Sequence, residues 1–215
     1  MKALLRPRLG VTLIELMVVL AVLGVLIAVA APSVRKLLDV QRLRGVSSQL
    51  TTNIQFVRAE AASRQEIAGI SFRYILGSQS CYTIHTCGST PATNTGCVCN
   101  CTAAEGSRCP APSVTQPDPP REIRTITVPA TLGVAVGPAN TAGGPVPSAW
   151  IWFDPSTGGL TSFFLPSISV VPNPSTLEFV GVTRLIAPAE AVGAVRTEIT
   201  ATGRPRTCEG LAICP

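Results

Sequence analysis

The sequence predicts an α+β protein, in which a long N-terminal α-helix packs on a mostly antiparallel β-sheet domain. Two observations favour this fold class. Apolar residues recur at helical steps through residues 11–65 of the 215-residue chain. Beyond residue 66 the helical period disappears, and short apolar runs separated by turn residues replace it. Residues 66–215 are long enough to form one globular domain with its own core.

The N-terminal segment combines a membrane-spanning pattern with an amphipathic one. The apolar run of residues 11–34 exceeds the roughly 20 residues needed to cross a bilayer, and we expect it to be transmembrane. A cytoplasmic N-terminus is favoured by three basic residues ahead of the run, namely Lys2, Arg6 and Arg8. Residues 35–65 continue as an amphipathic helix, and Pro32 and Gly45 are expected to bend or loosen the whole helix of residues 11–65 locally. Its apolar stripe consists of Leu43, Val46, Leu50, Ile54, Val57 and Ala61.

A cleaved secretory signal is the alternative interpretation of this segment. The small residues at positions 28–31 offer a cleavage site. However, the apolar run is longer than that of a usual signal and contains the acid Glu15. The helical pattern also continues past the site, so we favour one continuous helix from Val11 to about Arg64.

Residues 66–215 are predicted to form the β-rich domain. The first two strands, at 67–76 and 81–86, form a hairpin, and a turn at 154–159 joins two later strands. The other predicted strands are 122–130, 149–154, 161–166, 176–182 and 194–203. Residues 87–120 form a long Cys- and Pro-rich insertion without a regular period.

All the cysteines lie in this domain, and we expect them to form disulfides. An even number of cysteines confined to the soluble part of the chain indicates disulfides made in an oxidising compartment. Zinc is the alternative, but the alternating cysteines of "CVCNC" lack the usual ligand gap. The pairing stays open, because eight cysteines allow about 105 connectivities. They are Cys81, Cys87, Cys97, Cys99, Cys101, Cys109, Cys208 and Cys214.

The sequence offers no convincing catalytic set, cofactor motif or metal motif, so we do not expect an enzyme. His85 is the single histidine and is interpreted as a strand residue beside a disulfide. Trp150 and Trp152 alternate around Ile151 and are interpreted as sheet-face residues rather than a stacking platform. Residues 66–215 carry eight basic and nine acidic residues, so any nucleic-acid contact would depend on a local patch.

The run Gly10-Val11-Thr12-Leu13-Ile14-Glu15 resembles the class III leader of type IV pilins and type II secretion pseudopilins. The resemblance implies that residues 1–10 are a leader and that a prepilin peptidase cuts after Gly10. It also implies N-methylation of Val11, where phenylalanine is commoner in the family. A carboxylate costs roughly 2.5–3.5 kcal/mol in hydrocarbon. Glu15 is therefore expected to pair with the Val11 amine of a neighbouring subunit, which favours assembly with other pilins.

Three stretches resemble the GspH/FimT group of minor pilins: "FVRAEAASRQ" (56–65), "FDPSTGG" (153–159) and "ITATGRPRTC" (199–208). The resemblance implies a minor pilin that is single-pass in the inner membrane with a periplasmic domain. After assembly it would lie at or near the tip of a surface pilus, with other major and minor pilins. A GspH-like pseudopilin of type II secretion is the alternative. The insertion at 87–120 does not resemble the group.

A further alternative concerns Gly203, Arg204 and Arg206. Pro205 holds the backbone extended between the two arginines, so they are expected to project from a braced loop after the last strand, which Cys208 and Cys214 would close. The stretch resembles the GRxR element linked with DNA capture in FimT-like proteins. Weak, salt-sensitive DNA binding is the functional interpretation, and a solvated turn or a contact with a neighbouring pilin is the structural one.

Overall fold

The structure is a computed structural model. It describes residues 12–74, 79–88, 97–111, 119–134, 136–137, 148–164, 176–183, 194–200 and 202–209. The chain divides into two compact units, Met1–Asp39 and Val40–Pro215. The predicted α+β class is confirmed, because a long N-terminal helix is followed by antiparallel sheets.

One helix, α1, accounts for the predicted N-terminal element and runs from Leu13 to Arg64 over 52 residues. At about 1.5 Å per residue it is about 80 Å long. Pro32 and Gly45 both lie inside this continuous helix. Gln65 follows it with a positive φ of 59°, which is the left-handed conformation that commonly ends helices.

The larger sheet has five strands in the order β3-β2-β1-β4-β5, with each neighbouring pair antiparallel. The predicted β1–β2 hairpin is confirmed, although residues 75–78 of its connection lie outside the described part. The predicted turn at 154–159 joins β4 and β5, where the Asp154 carboxylate accepts hydrogen bonds from the backbone of Ser156 and Thr157. The strands are β1 (Ala68–Tyr74), β2 (Ser80–Thr86), β3 (Arg121–Val128), β4 (Ser148–Phe153) and β5 (Leu160–Phe164).

The inner face of this sheet forms the core with the second half of α1. Ile84, Ile70 and Ile151 form one row across β2, β1 and β4, and all three are fully buried. The predicted apolar stripe packs in the same cluster, which includes Leu50, Ile54, Val57 and Ala61. Burying a large aliphatic side chain contributes about 1.5–3 kcal/mol, so this contact stabilises the Val40–Pro215 unit.

The outer face of the sheet is covered by the Cys-rich segment 97–111. The Cys99 backbone N–H donates to Ser71 Oγ at 3.2 Å, and Trp152 Nε1 donates to the Cys97 carbonyl at 3.2 Å. Arg108 Nη1 joins the segment to Glu122 on β3 at 2.7 Å. Three disulfides fix the segment, and they are Cys81–Cys101, Cys87–Cys97 and Cys99–Cys109.

The expectation of disulfides is therefore confirmed within the described residues, which contain no free cysteine. Cys208 is also disulfide-bonded, whereas Cys214 lies outside the described part. The three pairings give part of the unexplained insertion at 87–120 a structural role, namely covering the second face of the sheet.

A smaller antiparallel sheet contains β6 (Thr176–Thr183), β7 (Ala194–Thr200) and β8 (Pro205–Glu209) in that order. The predicted last strand at 194–203 is too long, and the expectation of a loop after it is wrong. The chain reverses after Thr200 and returns as β8, which pairs with β7 from Ile199↔Pro205 to Val195↔Glu209. Val195 and Ile199 join the core cluster beneath α1.

Candidate functional site

The N-terminal part of α1 presents an apolar surface to its surroundings. Leu13–Ala31 is long and apolar enough to cross a membrane. Among the described residues, the exposed large hydrophobics all fall between Leu13 and Leu38, and burial begins at Leu43. Exposure of this extent requires lipid or other helices around it.

Glu15 lies in the first turn of α1, whereas Gly10 and Val11 lie outside the described residues. The Glu15 backbone N–H donates to Thr12 Oγ1 at 3.3 Å, so Thr12 caps the helix. The spacing of Thr12 and Glu15 is that of a capping box. The exposed Glu15 side chain lies in the first turn of the helix, where a negative charge is favourable.

The three stretches that resemble GspH/FimT proteins meet at one place in the Val40–Pro215 unit. Arg58 of α1 donates from Nε to the Gly158 carbonyl, at 2.7 Å, in the turn between β4 and β5. Gly203 in the β7–β8 turn is buried and has φ of 75°. A Cβ placed on Gly203 would lie 2.5 Å from the Gly158 carbonyl oxygen and 2.8 Å from Arg58 Nε.

This junction explains why Gly203 is a glycine, since both its φ and the close approach of Gly158 exclude a side chain. It also gives Arg58 a role that the sequence analysis missed. The helical period did not signal this role, because Arg58 falls off the apolar stripe and such a position predicts exposure, whereas the structure has it half-buried against the sheet domain. We call Arg58, Gly158 and Gly203 the three-motif junction.

The junction braces the β7–β8 turn, which contains Arg204 and leads directly to Arg206 on β8. The Gly203 N–H donates to the Thr200 carbonyl at 2.7 Å, and the Arg204 N–H donates to Thr200 Oγ1 at 3.2 Å. Arg204 and Arg206 are both exposed. Arg206 lies on β8 directly opposite Glu198 of β7. The expectation that it projects from a loop is therefore wrong. The structure therefore keeps the two guanidiniums accessible but places them on a turn and a strand.

His85 lies on the outer face of the sheet beside the Cys87–Cys97 disulfide, as the sequence analysis interpreted it. Its Nε2 is 2.8 Å from Ser71 Oγ, and its buried Nδ1 has no hydrogen-bond partner among the residues that the structure describes. Burial lowers the pKa of His85 to about 4, and the charge of Glu122 acts in the opposite direction. The imidazole is therefore neutral at ordinary pH.

The ligand atoms of His85, Cys87 and Cys97 lie within 4.8 Å of one another, which is close enough for a metal site. The two sulfurs are joined to each other, however, and a disulfide supplies no thiolate to a metal. The same bond leaves His85 without a nucleophilic cysteine to activate.

Trp150 and Trp152 lie on the outer face, as expected, with ring centroids 6.2 Å apart. Trp152 is buried beneath the Cys-rich segment, and Trp150 is half-buried at its edge. Gly69 lies between His85 and Trp152 in one cross-strand row, where a Cβ would come within 2.4 Å of the Trp152 ring. The absence of a side chain at Gly69 thus lets these two large groups share one face.

Comparison with known proteins bears on the N-terminal segment. Residues 5–31 match the family model described as the prokaryotic N-terminal methylation motif. No curated protein and no solved structure gave a match to the chain. The motif and the apolar helical span Leu13–Ala31 within it support a type IV pilin-like protein, which is anchored in a membrane, processed by a prepilin peptidase and assembled with other pilins. They indicate a structural subunit rather than an enzyme.

Proposed function

We propose that this chain is a minor pilin of the GspH/FimT type, which helps to initiate a type IV pilus and lies at or near its tip. The observation that carries the proposal is the methylation motif at residues 5–31, together with helix α1, which begins at Leu13 within the motif and is followed in the chain by antiparallel sheets. The three-motif junction supports the GspH/FimT assignment, because the resembling stretches form one contact rather than three unrelated similarities.

The proposed assembly mechanism depends on Val11 and Glu15. Cleavage after Gly10 creates an α-amine at Val11, and in a packed bundle this amine pairs with Glu15 of a neighbouring subunit. The isolated subunit holds an unpaired carboxylate near lipid, which is costly, so pairing favours the filament. Before assembly the chain is a single-pass inner-membrane protein with a periplasmic domain, and afterwards it is on the cell surface.

The first test is mass spectrometry of the mature N-terminus from cells that contain the prepilin peptidase. We expect a chain that begins at methylated Val11.

A Glu15→Ala variant is expected to be cleaved normally but to be lost from sheared filaments. Glu60→Ala is the matched control, since Glu60 lies on the same helix outside the membrane segment. Equal recovery of both variants in filaments would contradict the proposed role of Glu15.

A pseudopilin of type II secretion is the alternative that shares every N-terminal feature. Complementation separates the two proposals, because a minor pilin restores piliation in a strain that lacks its minor pilins, whereas a pseudopilin restores secretion. Minor-pilin genes next to this gene would support the pilus, whereas secretion genes next to it would support the pseudopilus.

DNA binding is a second candidate function, favoured by the exposure of Arg204 in the braced β7–β8 turn and of Arg206 at the start of β8. Guanidiniums suit phosphate contacts. Residues 66–215 carry no net positive charge, so we expect weak binding with a Kd of about 10⁻⁴–10⁻⁶ M, and the affinity should fall as salt is added. The test compares the full-length chain in nonionic detergent with Arg204→Gln/Arg206→Gln, using labelled duplex DNA.

The double variant is expected to lose most binding and to lower the salt dependence by about two phosphate contacts. Arg73→Gln is the charge-loss control, because Arg73 is exposed on β1, outside the β7–β8 turn. Equal binding by the wild type and the double variant would remove this function.

A further inference from the structure

A pocket of about 340 Å³ lies between the outer face of the sheet and the Cys-rich segment. It lies wholly in the Val40–Pro215 unit, on strands β1 and β4 of the larger sheet. Its volume is near the lower end of small-molecule sites, which begin at about 300 Å³, so it suits one ring rather than a longer chain. The lining residues that matter here are Arg73, Asn100, Arg108, Pro110, Ser148 and Trp150.

Two arginines line the pocket, and among the described residues only Arg73 is free to bind an anionic ligand. Arg73 is exposed and has no hydrogen bond or ion pair among the described residues. Arg108 is already neutralised by Glu122, with Nη1 to Oε1 at 2.7 Å, and its Nε donates to the Ala103 carbonyl at 3.3 Å. Among the described lining residues, the pocket therefore has one guanidinium without an ion partner, and a single such group suits a monoanion better than a dianionic phosphate.

The polar groups around Arg73 are mostly donors. Asn100 Oδ1 accepts hydrogen bonds from the Thr102 N–H and hydroxyl, at 3.2 and 2.8 Å, which directs the amide oxygen to its own turn. The amide nitrogen of Asn100 then remains to donate to a ligand. Ser148 adds a hydroxyl, and it lies directly opposite Arg73 in the register of β4 and β1. Such donors match a ligand that is rich in acceptor oxygens.

The remaining lining is apolar and rigid. The half-buried Trp150 and the exposed Pro110 supply flat apolar surface, and Trp150 lies two residues from Ser148 on the same face of β4. The pocket is also held by the disulfides Cys81–Cys101 and Cys99–Cys109, so its shape exists before a ligand arrives.

We propose that this pocket binds the carboxylate-bearing ring of an acidic sugar. Arg73 holds the carboxylate, Asn100 and Ser148 contact ring oxygens, and Trp150 packs against the apolar face of the ring. In a surface filament this would be a contact with an acidic glycan. The assignment rests on the globular unit alone, so it holds whether the chain belongs to a pilus or to a secretion pseudopilus.

The test uses the two tryptophans as built-in reporters, since both lie on this face and the chain has two. The full-length chain in nonionic detergent is titrated with glucuronate while tryptophan emission is followed. We expect saturable binding in the millimolar range, and about tenfold weaker binding of glucose, which lacks the carboxylate. Saturation by inorganic phosphate or deoxycytidine monophosphate at lower concentration than by glucuronate would overturn the proposal.

Arg73→Gln is expected to weaken glucuronate binding about tenfold, with little effect on folding because the Arg73 side chain is exposed and makes no hydrogen bond or ion pair among the described residues. Arg204→Gln removes the same charge elsewhere and should bind as the wild type does. Equal affinity of the Arg73 and Arg204 variants would overturn the proposal. Failure here would leave the N-terminal mass-spectrometry test unaffected, so the two hypotheses fail separately.

Discussion

His85 makes the stability of the globular unit depend on pH in a calculable way. It is the single histidine of the chain and is fully buried on the outer face of the sheet. Burial lowers its pKa from the ordinary 6.5 to about 4 in the folded protein. The unfolded chain therefore binds a proton between these two pH values while the folded chain does not.

The sign and size of the effect follow from linkage. Stability is complete above the unfolded pKa of 6.5, falls as the pH decreases, and levels off near the folded pKa of about 4. The full difference is roughly 3 kcal/mol, of which about 2 kcal/mol is lost between pH 7 and pH 5. Carboxylates with ordinary pKa values near 4 titrate mostly below this window.

The measurement is urea unfolding of a fragment that begins at Val40, followed by tryptophan emission with the disulfides intact. Near-UV circular dichroism first establishes that the fragment is folded. His85→Gln removes the titrating group, so its free energy of unfolding should change little between pH 7 and pH 5, whatever its value at pH 7. Arg204→Gln should retain the wild-type pH dependence. The reasoning is refuted if wild type and His85→Gln lose the same free energy over this interval.

Two glycine substitutions test the close approaches in the fold. Gly203→Ala should lower the free energy of unfolding by about 2–4 kcal/mol, because the new methyl group meets the Gly158 carbonyl and the backbone is left-handed. Gly106→Ala is its control, since it has φ of 83° but nothing within 4 Å, and it should cost only about 1–2 kcal/mol. Gly69→Ala should cost about 1–3 kcal/mol and shift tryptophan emission. Urea midpoints measure all three, and equal values for the first two variants would contradict the steric explanation.

The sequence predicted the helix and most strands because their apolar periods are strong. The stripe from Leu43 to Ala61 packs against the sheet as its spacing requires, and α1 ends at Arg64. The β1–β2 hairpin followed from two apolar runs separated by turn residues. In each case one local period fixes which face is buried, so no long-range information was needed.

The β7–β8 hairpin could not be predicted in the same way. Strand β8 has five residues and begins at Pro205, a residue that usually argues against a strand unless it stands first or at an edge. The reversal depends on the left-handed Gly203, and that glycine is required by contacts with Arg58 and Gly158, which are distant in sequence. A local interpretation therefore placed both arginines in a loop, and only the tertiary junction reveals the strand.

The Cys-rich segment could not be placed from sequence because its pairing was open, yet the pairing explains the second face of the sheet. This face carries His85 and Trp152, which need cover, but segment 97–111 has few large apolar side chains to supply it. Disulfides substitute for a hydrophobic layer by restricting the unfolded chain, as they do in small secreted domains. Because disulfides hold segment 97–111 on the sheet, its contact with the sheet does not require close packing of large side chains. Space therefore remains at the edge of the segment for the pocket around Arg73.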